Sequence, residues 1–179
     1  YQQQWNQAIE YFTKAHERQY PNEERLAVEL ALAQNEAGRP QEALNTLAKI
    51  PPPVEGPLAA QYHAVGAFAL TRMNQPAKAI ELMRRARDQD DANTQYWEFL
   101  ITALISTDQT PAALAEAIQA QKKFPDNPEI LFLFGLANYY VPESPLIKLA
   151  LRNLGEAEPD GARALLVEGM LHRKQGNSE

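Results

Sequence analysis

Five alanines, each followed by isoleucine or leucine, lie along the chain at regular intervals of 34 to 37 residues. The five copies begin at Ala8, Ala43, Ala79, Ala113 and Ala150. An apolar residue lies four positions after each of these alanines and another lies seven positions after it, as at Phe12 and Ala15. Since positions i, i+4 and i+7 share one face of a helix, each copy predicts a helix with a small residue where a neighbour can approach closely.

A second apolar segment precedes each dipeptide from the second copy onward. It has an apolar residue, a second one three positions later and, in most copies, a small residue directly after that. The four copies are Ala27/Leu30/Ala31, Tyr62/Val65/Gly66, Trp97/Leu100/Ile101 and Leu131/Phe134/Gly135. A last copy, Leu165/Glu168/Gly169, follows the fifth dipeptide and has a carboxylate at its middle position. Nothing alternates with a period of two, so the pattern predicts about ten helices in antiparallel pairs and no strands.

Two packed helices in about 34 residues, with small residues at fixed contacts, resemble the tetratricopeptide repeat (TPR) family. The resemblance covers essentially the whole chain, and five dipeptides in register make it specific. The chain departs from the family pattern at Ala31, Gln34, Ile101, Asn138 and His172. The resemblance implies an all-α fold, a right-handed superhelical solenoid of antiparallel helix pairs. Heavy use of Ala, Gln and Arg is compatible with a bacterial protein.

The repeat pattern predicts one array over residues 1–179. Residues 1–21 are expected to form the second helix of a truncated unit, 22–54, 55–91, 92–126 and 127–159 to form helix pairs, and 160–179 to form the first helix of a truncated last unit. Gly38 is expected to end one helix in the left-handed conformation, and Ser144 to cap another before Pro145. Because both terminal units lack a helix, the pattern indicates a fragment of a longer protein.

Composition narrows the classes of function. A formal net charge of -6 disfavours wholesale nucleic-acid binding. The absence of cysteine excludes disulfides, thiolate zinc sites and a cysteine nucleophile. The longest uncharged apolar stretches, at 99–107 and 130–142, are shorter than the ~20 residues that span a bilayer. The composition does not identify the cellular compartment, because it fits the bacterial cytoplasm and the periplasm or cell envelope equally well.

Candidate chemical sites are few. The three histidines lack metal-binding spacing, and the acidic run at 88–91 lacks the glycine and the ligand positions of a calcium loop. No phosphate-binding loop or nucleophile motif is present. The basic cluster of Arg84, Arg85 and Arg87 fits either an acidic partner or, as we favour, a solvated outer face. We therefore predict no catalytic residue, no metal, no cofactor and no enzyme activity.

The resemblance to TPR proteins implies that the first helix of each pair lines a concave groove, one, five and eight positions after its first contact residue. These positions are unusually apolar, which is typical of a protein-binding surface. The candidate groove residues are Val28, Leu32, Leu70, Ile105, Phe132, Leu136, Tyr139 and Met170. Only Asn35 and Arg173 suit the clamp that holds chaperone C-termini in this family, and they lie far apart, so we predict no clamp. Alternatively, these positions pack against neighbouring helices or other parts of the protein.

The leading hypothesis is a non-enzymatic scaffold that binds a protein or peptide segment in this groove. A second hypothesis is a docking or regulatory segment of a larger enzyme or of a cell-envelope secretion or assembly complex. A third is self-association, with a homodimer formed through an exposed end helix at 160–175. The sequence predicts no nucleic-acid partner and no direct membrane span.

Overall fold

The computed structural model describes residues 2–18, 20–141, 144–159, 161–174 and 176, and most of these residues are helical. Within them, ten helices follow one another: α1 Gln2–Glu17, α2 Glu23–Glu36, α3 Pro40–Leu47, α4 Gly56–Arg72, α5 Pro76–Gln89, α6 Thr94–Ser106, α7 Thr110–Lys123, α8 Pro128–Tyr139, α9 Ile147–Ala157 and α10 Ala162–Lys174. The expected all-α fold of paired helices is confirmed. The predicted ends of the last helix, at residues 160 and 175, lie outside the described residues.

The chain packs as two compact units, Tyr1–Tyr96 and Trp97–Glu179, and the boundary falls within α6. Neighbouring helices pack on each other within each unit, and α4 also packs on α2 in the first and α10 on α8 in the second. Within each compact unit, this is the packing expected of a repeat protein, in which each repeat contacts only the neighbouring repeats. The prediction of one continuous array stays a prediction.

The core of the first unit contains the repeated alanines that the sequence singled out. Ala43 on α3 is buried with Val28 of α2 and Val65 of α4 in one cluster. At Gly66 on α4, an added Cβ would lie 2.9 Å from the Leu82 Cδ1 atom on α5. The missing side chain therefore allows α4 and α5 to approach closely, as the small position in the repeat predicted.

The core of the second unit surrounds Trp97 and Phe134, which pack with Ala117 and Ala150. A second cluster joins Leu131, Leu154 and Val167, the last of them on α10. On α10 the predicted contact face is wrong, because Leu165 is 70% exposed and Glu168 and Gly169 are exposed as well. The helix instead buries Val167, whose methyl groups lie 3.4 Å from where a Cβ of Gly135 would be.

Three of the turns within helix pairs share one geometry. Gly38, Asn74 and Asp108 all have positive φ, at 78°, 56° and 58°. In each turn the N–H of the following residue donates to the carbonyl five positions back, with N–O distances of 2.8, 2.9 and 2.9 Å. This is the Schellman arrangement, which closes the end of a helix with a left-handed residue. The prediction for Gly38 is confirmed.

The prediction that Ser144 caps a helix is wrong. Helix α9 begins at Ile147, and its N-cap is Leu146. The Ser144 hydroxyl donates to the Asn138 Oδ1 atom and accepts the N–H of Leu146 at 3.3 Å. Because this hydroxyl satisfies a buried amide of α8, it points inward, and the helix starts three residues later.

Candidate functional site

A cleft of ≈ 250 Å³ opens in the first unit between α2, α4 and the start of α6. Each of these is the first helix of its pair, which is the kind of helix that the TPR resemblance placed along the groove. The lining residues are Val28, Glu29, Leu32, Gln61, Ala64, Val65, Phe68, Asn93, Gln95 and Tyr96.

The floor of the cleft is apolar and belongs to the core. Val28 is 2% exposed and Val65 is 4% exposed, and both are members of the central cluster of this unit. Leu32 is partly buried and packs on the same cluster. A floor supported in this way is pre-formed, so an apolar side chain that enters the cleft loses contact with water without requiring the core to move.

Amide side chains form much of the rim. Gln61 and Gln95 are exposed, and Asn93 is partly buried. The Asn93 Oδ1 atom accepts the N–H of Gln95 at 3.1 Å, which fixes the chain where α6 begins. Because an amide side chain can both donate and accept, the exposed Gln61 and Gln95 side chains offer hydrogen-bond donors and acceptors at the rim.

Tyr96 closes the α6 side of the cleft and is 6% exposed. Burial raises the pKa of its hydroxyl, the nearby Asp90 carboxylate raises it further, and a hydrogen bond with the Asn93 side chain acts in the opposite direction. The net direction is upward, so the hydroxyl stays protonated at neutral pH and can serve as a donor.

Two of the predicted groove residues, Val28 and Leu32, line this cleft. Leu70 lies on α4 but is 8% exposed and is not part of the lining. Asn35, which the resemblance also placed in the groove, is wholly buried, and its Nδ2 atom donates to the Val65 carbonyl at 2.8 Å. Its assignment as a groove residue is therefore wrong, because its side chain joins α2 to α4 instead.

The other predicted groove residues lie in the second unit. Ile105 packs on the cluster around Trp97, and Phe132 and Leu136 pack on the cluster of Leu131, Leu154 and Val167. Tyr139 is partly buried and meets Tyr140 edge to face, with 5.2 Å between ring centroids. Met170 is partly buried on α10. A binding role for these five residues stays a prediction.

His63 directly follows the contact residue Tyr62, so the resemblance to TPR proteins also places it in the groove. It lies on α4 and is not among the residues that line the cleft. Burial lowers the pKa of its imidazole, and the positive charge of Arg85 lowers it further. The ring meets Tyr62 edge to face at 5.4 Å. The imidazole is therefore neutral at physiological pH and acts as a packing group in this structure.

Sequence reasoning missed most of the rim, including Gln61, Asn93, Gln95 and Tyr96. A fixed offset from the first contact residue fails because the cleft crosses the middle of α2 and α4 but only the beginning of α6. Surface amides at those positions carry no pattern that separates them from other polar residues. The one available signal was Tyr96, an aromatic residue directly before the contact residue Trp97.

The described part of the chain contains no group of three histidine, aspartate or glutamate side chains that could hold a metal ion. None of its helices combines the length and the apolar character needed to cross a bilayer.

Comparison with known proteins agrees with the repeat pattern. Two family models described as tetratricopeptide repeat match residues 1–67 and 67–128. No curated protein matches the chain at a significant level. Together the two models span well over half of the chain, in consecutive segments.

Solved structures share the fold at low sequence identity. YrrB, a TPR protein with an unusual peptide-binding site, aligns with a TM-score of 0.71 at 20% identity, covering 96% of this chain and 87% of that one. MamA aligns with a TM-score of 0.66 at 17% identity, covering 97% and 92%. At these identities the likeness shows the fold alone. From the family models, the repeat and its paired helices, the chain belongs to the tetratricopeptide repeat family, whose members typically act as non-catalytic protein-interaction modules.

Proposed function

We propose that this chain is an interaction scaffold that binds a peptide segment of a partner protein in the cleft between α2, α4 and the start of α6. The observation that carries the proposal is the composition of the lining, an apolar floor of Val28, Leu32 and Val65 framed by Gln61, Asn93 and Gln95. An apolar floor with a few polar groups that fix orientation is typical of a binding site.

The size of the cleft limits what it can hold. At ≈ 250 Å³ it lies below the ~300–1,000 Å³ typical of pockets for whole small molecules. The volume suits one or two side chains of a longer ligand. The proposed ligand is therefore an extended or helical segment that inserts an apolar side chain and runs its backbone along the amide rim.

The likeness to YrrB supports this proposal by analogy. That protein is a TPR protein with an unusual peptide-binding site, so the shared fold is compatible with peptide binding. Because only 20% of residues are identical, the analogy supports peptide binding in general and carries no residue over to this chain.

The test blocks the cleft with a bulky side chain. Peptides selected from a phage-displayed random library against this chain are synthesised with a fluorophore, and their Kd is measured by fluorescence anisotropy. Gln61→Trp should weaken binding at least about tenfold, because an indole at this exposed lining position occupies the space of the ligand side chain.

The matched control is Gln41→Trp, the same change at an exposed position on α3 outside the cleft. It should bind the peptides like the unaltered chain, and circular dichroism should show equal helicity in both variants. Peptides that bind Gln61→Trp as tightly as the unaltered chain would refute the cleft as the site. A loss with Tyr139→Ala instead would move the site to the residues predicted in the second unit.

A further inference from the structure

Glu29 is the only charged side chain among the ten residues that line the cleft. We infer that the bound segment places a lysine or arginine side chain against the Glu29 carboxylate, beside the apolar side chain that enters the floor. The inference rests on the proposed function and adds to it the chemical class of the ligand, a basic and apolar peptide.

The Glu29 carboxylate has no partner within the described part of the chain. Glu29 is partly buried and lies between Val28 and Leu32 on the face of α2 that forms the cleft. It takes part in no hydrogen bond or ion pair there. Arg25, one turn earlier, is exposed and forms no ion pair with it, and the hydrogen bond of Arg25 runs from its backbone N–H to the Asn22 Oδ1 atom.

The Asp90 carboxylate does not line the cleft, but its charge contributes to the raised pKa of the Tyr96 hydroxyl. None of the ten lining residues is basic. The only formal charge in the lining is therefore the negative charge of Glu29, which favours a cationic group in the ligand.

The surroundings of the Glu29 carboxylate strengthen its preference for a cationic ligand over an acidic one. A carboxylate next to apolar side chains and partly shielded from water interacts more strongly with a counter-charge than a fully solvated one does. The same carboxylate repels an acidic ligand, so the cleft should discriminate against segments that present aspartate, glutamate or a free C-terminus there. The discrimination is opposite in sign to that of a clamp for C-terminal carboxylates.

The experiment compares peptide selections on two forms of the whole chain. A random phage-displayed library is selected in parallel, at low ionic strength, on the unaltered chain and on Glu29→Lys. The unaltered chain should enrich peptides that carry Lys or Arg beside an aliphatic or aromatic residue. Glu29→Lys should enrich Asp or Glu at that position. Peptides from the first selection should lose about five- to tenfold in affinity on Glu29→Gln.

The control is Glu24→Lys, an equal charge change at an exposed position of α2 that does not line the cleft. It should enrich the same basic peptides as the unaltered chain. Peptides without a basic bias, or with equal affinity for Glu29→Gln, would overturn the inference. If those peptides still lose affinity on Gln61→Trp, the proposed function stands. If they are indifferent to Gln61→Trp, the proposed function and the inference fail together.

Discussion

Asn35 and Asn138 are both buried on the first helix of a pair, but their side chains differ in how many hydrogen bonds they make. Asn138 on α8 is satisfied on both sides, since its Nδ2 atom donates to the Phe134 carbonyl and its Oδ1 atom accepts from Ser144. Asn35 on α2 donates to the Val65 carbonyl of α4, but its Oδ1 atom has no partner among the described residues. A buried acceptor without a donor costs free energy, so the Asn35 amide contributes less to stability than one good hydrogen bond suggests.

This difference predicts how Asn35 responds to substitution. Asn35→Leu should change the free energy of unfolding by only about 1 kcal/mol, because it removes the unpaired acceptor and keeps a similar volume. Asn35→Asp should cost about 3 kcal/mol or more at pH 7, because it removes the donor and buries a charge. Urea unfolding of both variants measures these values, and equal losses would contradict the account of the unpaired acceptor.

At the scale of elements, three of the turns within helix pairs depend on single left-handed residues. Gly38, Asn74 and Asp108 each follow the first helix of a pair and have positive φ. Pro40, Pro76 and Pro111 follow at the first or second position of the next helix. A left-handed residue that ends one helix and a proline that starts the next explain why these turns are so short.

A pair of glycine substitutions tests this account of the turns. Gly38 and Gly155 both have open space where a Cβ would be, but Gly38 has a φ of 78° and Gly155 lies inside α9. Gly38→Ala should destabilise the chain by about 1 kcal/mol, because alanine disfavours the left-handed region. Gly155→Ala should stabilise it by about 0.5–1 kcal/mol, because alanine prefers the helix.

Thermal unfolding of the two glycine variants gives the sign of each change. Opposite shifts of the midpoint are expected. Shifts of the same sign would show that the backbone conformation at residue 38 does not control the turn.

At the scale of the whole molecule, stability should be local. The chain divides into two compact units at Tyr96 and Trp97, and helices pack on their sequence neighbours within each unit. In repeat proteins the total stability is close to a sum of repeat and neighbour terms, so a defect in one repeat need not reach distant ones.

Met83→Ala tests this locality, since Met83 on α5 is wholly buried. The cavity should cost about 2–5 kcal/mol. Amide hydrogen exchange, followed by mass spectrometry, should accelerate in α4 and α5, which pack on each other, and change much less in α8 and α9. Equal acceleration in both units would show that the chain unfolds as one cooperative body.

Much of the fold could be predicted from the sequence. The periodic contacts predicted about ten helices in antiparallel pairs, and the described residues form ten helices. Failures occurred where a distant group decided the outcome. Ser144 turned inward to a buried amide of α8, and α10 buried Val167 instead of Leu165.

The sequence by itself determined the helices, their pairing and most of their packing faces, α10 excepted, because those depend on contacts between residues three, four and seven positions apart. The tertiary structure decided which residues form the cleft, because the lining depends on which turns of successive helices meet. Val28 and Leu32 could be predicted since they lie on a repeating face. Gln61, Asn93 and the unpaired Glu29 could not, since a polar side chain acquires a role only from the groups that packing places around it.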